Sequence, residues 1–160
     1  MSNHTFPISG QAQRGFTLIE VLVSIVIVAF GLLGVAGLLI KSATLGVSAH
    51  NRTLATQKVY EMVDRMRLNS VGVRNGSYDS LAGTATAVDC DAPTVCSTSA
   101  IATHDYYQWT QGLAAALGAS ATGKVQADGD GLFTITVAWP EKDFGLANFS
   151  NQTYTLSVRP

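Results

Sequence analysis

From Val21 to Ile40 the chain reads VLVSIVIVAFGLLGVAGLLI, twenty positions without a charge and with Ser24 as the one polar side chain. At about 1.5 Å of rise per residue a helix over this stretch covers roughly 30 Å, the hydrocarbon thickness of a bilayer. A helix at the edge of a soluble core keeps one polar side. This stretch is apolar all round, so the pattern predicts a membrane span. A secretory signal peptide is the competing reading, but its apolar region usually runs only about 7 to 15 residues, with a small-x-small cleavage site close behind. Val47-Ser48-Ala49 has that form and stands well beyond Ile40.

After Lys41 the pattern turns amphipathic. Leu45, Ala49, Ala55, Val59, Met62 and Met66 approximate an i, i+3, i+4 stripe with a gap near Arg52, and Arg52, Lys58, Glu61, Asp64, Arg65 and Arg67 suit exposed flanks. This predicts one helix from about Phe16 to about Asn69, ended by the loop chemistry of Gly72 and Asn75-Gly76. From Val73 to Thr103 the residues are small and polar, and the expectation is surface loop with little core. Asp105 to Leu117 places Tyr106, Trp109, Leu113 and Ala116 or Leu117 at helical spacing, with Asp105 as the N-cap and Gly118 as the stop. Those aromatic residues fit a buried face better than a binding face.

Leu132 to Trp139 alternates, with Phe133, Ile135, Val137 and Trp139 on one side and Thr134 and Thr136 on the other. Tyr154, Leu156 and Val158 repeat the pattern. Pro140 and the segment EKDFGLANFSNQ separate the runs, which predicts two antiparallel strands across a longer loop. Two strands alone are marginal, and Lys124 to Ala127 is the candidate third. The fold class expected is α+β: a long N-terminal helix, transmembrane in its first half and amphipathic in its second, packed on a small antiparallel sheet head.

Composition narrows the function. Of 160 residues 47% are apolar and only 13% charged, and the mean hydropathy of +0.23 reflects the segment before residue 41. A net charge of -1 with no basic stretch lacks the clustered Lys and Arg that nucleic-acid phosphates require. Arg14 and His4 precede the span while Lys41, Arg52 and Lys58 follow it, so charge alone does not orient it. No G-x-S-x-G or H-E-x-x-H stands in the chain. Gly118 to Lys124 spells G-x-x-x-x-G-K, but Val125 replaces the Ser or Thr of a phosphate loop and no helix pattern follows. His104-Asp105 is an adjacent pair read as loop. An enzyme is therefore not expected, and neither is a cofactor.

The most specific signal lies at the head of the apolar stretch. A polar leader, MSNHTFPISGQAQRG, precedes Phe16-Thr17-Leu18-Ile19-Glu20-Val21. Gly15 followed by F-T-L-I-E and a long apolar helix resembles the class III signal of type IV prepilins and type II secretion pseudopilins. The resemblance implies a leader of residues 1–15, cut after Gly15 by a prepilin peptidase that N-methylates the new amine of Phe16, an assembly helix over 16–40, and a periplasmic head over 41–160. It implies insertion in the inner membrane, an inner-membrane assembly platform as partner, and other minor pilins and the major pilin as neighbours through the helix. Glu20, one turn after Phe16, would pair its carboxylate with the Phe16 amine, especially that of a neighbouring subunit, and so set register. The plainer reading is a first-turn Glu favoured by the helix dipole. Gly31-Leu32-Leu33-Gly34-Val35-Ala36-Gly37-Leu38, Asp64 to Asn69, and Tyr154 to Pro160 look like minor pilins of the PilV type; the GspI-like minor pseudopilins are the runner-up. Residues 73–131 carry no resemblance.

Two further features stay open between readings. Gly31, Gly34 and Gly37 recur every third residue, which suits close helix packing but is also common in membrane helices. If the head lies outside the cytoplasm, Cys90 and Cys96 form a disulfide closing a small loop, worth about 2 kcal/mol in the chain-entropy model; free thiols are the alternative. A metal site would need more ligands than these and the remaining His50 and His104. A plain one-pass binding protein would keep residues 1–15 and have no use for Glu20.

Overall fold

In a computed structural model, which describes residues 15–90, 96–142 and 149–160, helix α1 runs unbroken over Leu18–Leu68. The predicted leader, apart from Gly15, and the centre of the loop between the two C-terminal strands lie outside the described residues. The chain divides into two compact units, residues 1–42 and 43–160. In the first, every described residue is exposed, and α1 is long and apolar enough there to cross a membrane.

In the second unit the apolar stripe of α1 is narrower than its periodicity suggests. Ala55, Val59, Met62, Val63 and Met66 are buried, whereas Leu45 and Ala49 are exposed. Farther along the helix, Arg52 reaches the Gln152 side chain of the sheet. Asn69 breaks α1, and Ser70–Arg74 forms a short second helix, α2. Gly72 therefore does not stop the helix as expected. It is buried within α2, where an added Cβ would collide with the Asn69 side chain.

The segment after residue 73 is also more ordered than its composition implies. Ser80–Leu81 forms a short strand, β1, and Tyr78 is wholly buried. Helix α3 covers Thr98–Leu117, starting seven residues before Asp105. Ser97 is its N-cap, accepting a hydrogen bond from the Ala100 amide at 3.2 Å. Asp105 sits inside the helix instead, because it has partners there that a cap would forgo. Ala102, Tyr106, Trp109, Leu113 and Leu117 are buried at helical spacing.

Three longer strands complete the head: β2 (Thr122–Gly129), β3 (Leu132–Lys142) and β4 (Phe149–Val158), in an antiparallel sheet of order β1-β2-β3-β4. The alternation read from sequence holds, with Phe133, Ile135, Val137 and Trp139 buried on one face. β3 continues through Pro140, past the last β2 pair, Thr122 with Ala138. There β3 has only β4 as a neighbour, and a residue without an N–H is tolerated. The β2–β3 turn holds Gly129, Asp130 and Gly131 at φ of 93°, 50° and 72°, a left-handed run that glycine adopts without steric cost. The stripes of α1 and α3 and the inner face of the sheet share one apolar core.

Candidate functional site

The apolar unit begins with a helix start built from four residues. Gly15, Phe16 and Thr17 precede the first turn of α1 and are exposed. The Glu20 amide donates to the Thr17 carbonyl at 3.1 Å and lies 3.3 Å from the Thr17 hydroxyl. Thr17 is thus the N-cap and Glu20 the third helical residue, the T-x-x-E arrangement of a capping box. That signal was present in the sequence beside the junction and adds a local reason for Glu20. In the uncut chain the Phe16 nitrogen is an amide, so Glu20 faces the dipole of α1 and not an ammonium.

Phe16 is 82% exposed. Gly31, Gly34 and Gly37 lie in α1, and beyond the adjoining helix backbone no atom comes within 4 Å of where a Cβ would stand. The three glycines therefore leave backbone open to an external surface. Ser24, whose hydroxyl donates to the Glu20 carbonyl at 2.7 Å, lines an apolar groove with Ile25, Val28, Ala29 and Leu32.

In the head, the residues with chemistry form a structural hub. The Tyr78 hydroxyl donates to Asp105 Oδ2 at 2.5 Å and accepts from Asn69 Nδ2 at 3.2 Å. Asn69 Nδ2 also donates to the Thr98 carbonyl at 2.8 Å, and Asn69 Oδ1 accepts from the Gly72 amide. Arg65 reaches Asp105 at 3.3 Å and Glu61 at 3.1 Å, and Glu61 takes Lys58 at 2.8 Å. α1, α2, α3 and the Tyr78 turn are thereby joined at one place. Burial, reinforced by the Asp105 carboxylate, pushes the Tyr78 hydroxyl well above its usual range. Burial raises the Glu61 carboxyl, but the hydrogen bonds of Lys58 and Arg65 outweigh it and hold Glu61 below the ordinary value. Sequence reading missed this hub because its members are spread from Lys58 to Asp105.

His104 is in α3, not a loop; its Nδ1 lies 2.5 Å from the Val88 carbonyl. Because a carbonyl only accepts, Nδ1 carries the proton there. His50 is on exposed α1. Among the described residues no group of three or more His, Cys, Asp or Glu could hold a metal. Gly118 ends α3, and Gly123 lies in β2, where a Cβ would strike Trp109 and Leu113. The phosphate-loop spelling is thus a helix stop and a packing glycine. Cys90 and Cys96 are joined as a disulfide with Cα atoms 5.6 Å apart.

Compared with known proteins, the chain matches the family described as the prokaryotic N-terminal methylation motif over residues 10–36. No curated protein and no solved structure matches it. The matched segment spans the Gly15–Phe16 junction, the capping box and the first part of the apolar helix. It supports a type IV pilin-like or pseudopilin protein, anchored in a membrane by α1, and processing by a prepilin peptidase.

Proposed function

We propose that this chain is a minor pilin, a structural rather than enzymatic subunit that helps prime or modify the assembly of a type IV pilus. The observation that carries the reading is the methylation motif over residues 10–36 running directly into an uncharged and wholly exposed helical stretch. In the precursor, which still carries the leader of residues 1–15, the apolar part of α1 holds the chain in the inner membrane with the head in the periplasm. Cleavage after Gly15 turns the Phe16 nitrogen into a methylated amine one turn from Glu20. A carboxylate left alone in an apolar setting costs about 2.5 to 3.5 kcal/mol near the centre of a bilayer and less near its surface. Pairing with the amine of an adjacent subunit removes that cost only at one register, so the ion pair selects the position at which helices stop sliding.

Disulfide formation between Cys90 and Cys96 agrees with an oxidising compartment for the head. The three glycines of α1 give neighbouring helices room to approach. Pseudopilins of type II secretion carry the same signal; deletion of the gene separates the two, with surface pili lost in one case and protein export in the other.

Intact mass and N-terminal sequencing of the membrane-expressed chain, with and without a prepilin peptidase, test the reading. A product beginning at Phe16 and carrying one methyl group is expected. Retention of residues 1–15, or cleavage after Ala49, would overturn it.

A further inference from the structure

Where α1 gives way to α2, the head carries a small pocket of about 200 Å³, walled by Met66, Arg67, Ser70, Val73, Arg74 and Pro160. All of these lie in the second compact unit. The floor is apolar, because Met66 belongs to the core and Val73 packs against it. The rim is cationic, with Arg67 and Arg74 both exposed. The volume falls below the roughly 300 to 1,000 Å³ of small-molecule sites. It suits a single side chain.

The arginines of this region are used differently. Arg65 is held by Glu61 and Asp105. Arg67 meets Asp64 at 3.2 Å with both side chains more than half exposed, a weak surface pair. Arg74 has no ion pair among the described residues. The rim thus carries two guanidiniums against the one carboxylate of Asp64. A guanidinium presents parallel N–H donors that match the two oxygens of a carboxylate. A polyanion fits poorly, because Asp79 shares the adjoining cavity with Arg74 and Asp64 stands at Arg67, so a run of phosphates would meet both carboxylates. A free small carboxylate would leave apolar surface bare: Leu68, next after Arg67, is 89% exposed, and Val71, next after Ser70, is 46% exposed.

We infer that this pocket receives a Glu or Asp side chain from an acidic and apolar segment of another protein. The incoming carboxylate pairs with Arg74, and the Ser70 hydroxyl in the pocket wall supplies a further donor. Apolar neighbours in the same segment cover Val71 and Leu68, while the excess positive charge of the rim sets the sign of the partner. The choice of candidate partners in the test rests on the pilin-like reading; the pocket does not.

The test uses the full chain in lipid nanodiscs, treated with a prepilin peptidase and co-expressed with other methylation-motif proteins of the same genome. Val71→benzoylphenylalanine supplies a photo-crosslink at the rim, and Lys124→Glu, at an exposed cation of β2, is the charge control. The expected adduct maps to one segment of another polypeptide that holds a Glu or Asp beside apolar residues. Arg74→Glu should lower its yield about 10-fold or more, and Lys124→Glu should leave it unchanged. Replacing the mapped carboxylate by Arg should restore the yield in the Arg74→Glu chain. Co-purification with Val71 intact should rank the variants in the same order. Adducts only to lipid, nucleic acid or a second copy of this chain, indifference to Arg74→Glu, or a charge swap that restores nothing would each overturn the inference. An uncut leader with a working charge swap overturns the pilin reading alone; cleavage at Gly15 with neither adduct nor co-purification defeats the inference alone.

Discussion

Under the minor-pilin proposal Glu20 meets a different positive charge before and after processing, and the two can be separated by substitution. In the precursor the Thr17 hydroxyl and the Glu20 amide close the first turn of α1, and the carboxylate gains from the helix dipole. Thr17→Ala should weaken that start by about 0.5 to 2 kcal/mol yet leave the carboxylate available, so subunit incorporation should persist. Glu20→Gln keeps a capping-box side chain but removes the charge, and it should abolish incorporation while leaving cleavage after Gly15 intact. Immunoblots of the processed chain in membrane and sheared-pilus fractions check both. In the head, Tyr78→Phe deprives Asn69 and Asp105 of a partner in a buried place. The expected loss is about 1 to 3 kcal/mol, read as a lower thermal midpoint. Neither Asn69 nor Tyr78 stood out in the sequence, because a buried polar residue announces itself only by what surrounds it.

Among the elements, those with strong periodicity were legible and those held by distant partners were not. The strands around Ile135 and Leu156 and the third strand at Lys124 to Ala127 appear where alternation placed them. The start of α3 was misplaced because Asp105 has the residue type of a cap, yet in the fold it is matched to Tyr78 and Arg65. Burying it mid-helix with two hydrogen-bonding partners satisfies it better than one backbone amide would. Lys58, Glu61 and Arg65 were read as exposed flanks but are half-buried, since α3 packs along that side and Trp109 Nε1 donates to the Lys58 carbonyl at 2.7 Å. The disulfide ties Cys90 to Cys96, just ahead of the Ser97 cap. Replacing both cysteines with Ser should lower head stability by about 2 kcal/mol without unfolding the sheet, which circular dichroism and a melting curve would show.

For the molecule as a whole, the hub gives stability a predictable pH profile. Glu61 is held below its ordinary value of 4.5 in the folded chain, so its contribution is present above that value and is lost as pH falls through the lower folded one. Tyr78 is held above its ordinary 10.0, so its contribution is complete below that value and is lost as pH rises beyond it. Melting temperature should therefore decline on both sides. Glu61→Gln should flatten the acid limb, and Tyr78→Phe the alkaline limb.

Hydrophobic periodicity and the local sequence at the Gly15–Phe16 junction were enough to establish the α+β class, the apolar anchor, the pilin-like signal and the inner face of the sheet, because each depends on residues close together in the chain. Tertiary structure alone decided where α1 begins to be covered, that Tyr78 and Asp105 belong to one hub, and that β1 and β4 stand at the two ends of the sheet order. Those depend on which elements become neighbours, and side-chain spacing along a chain carries no record of a partner dozens of residues away.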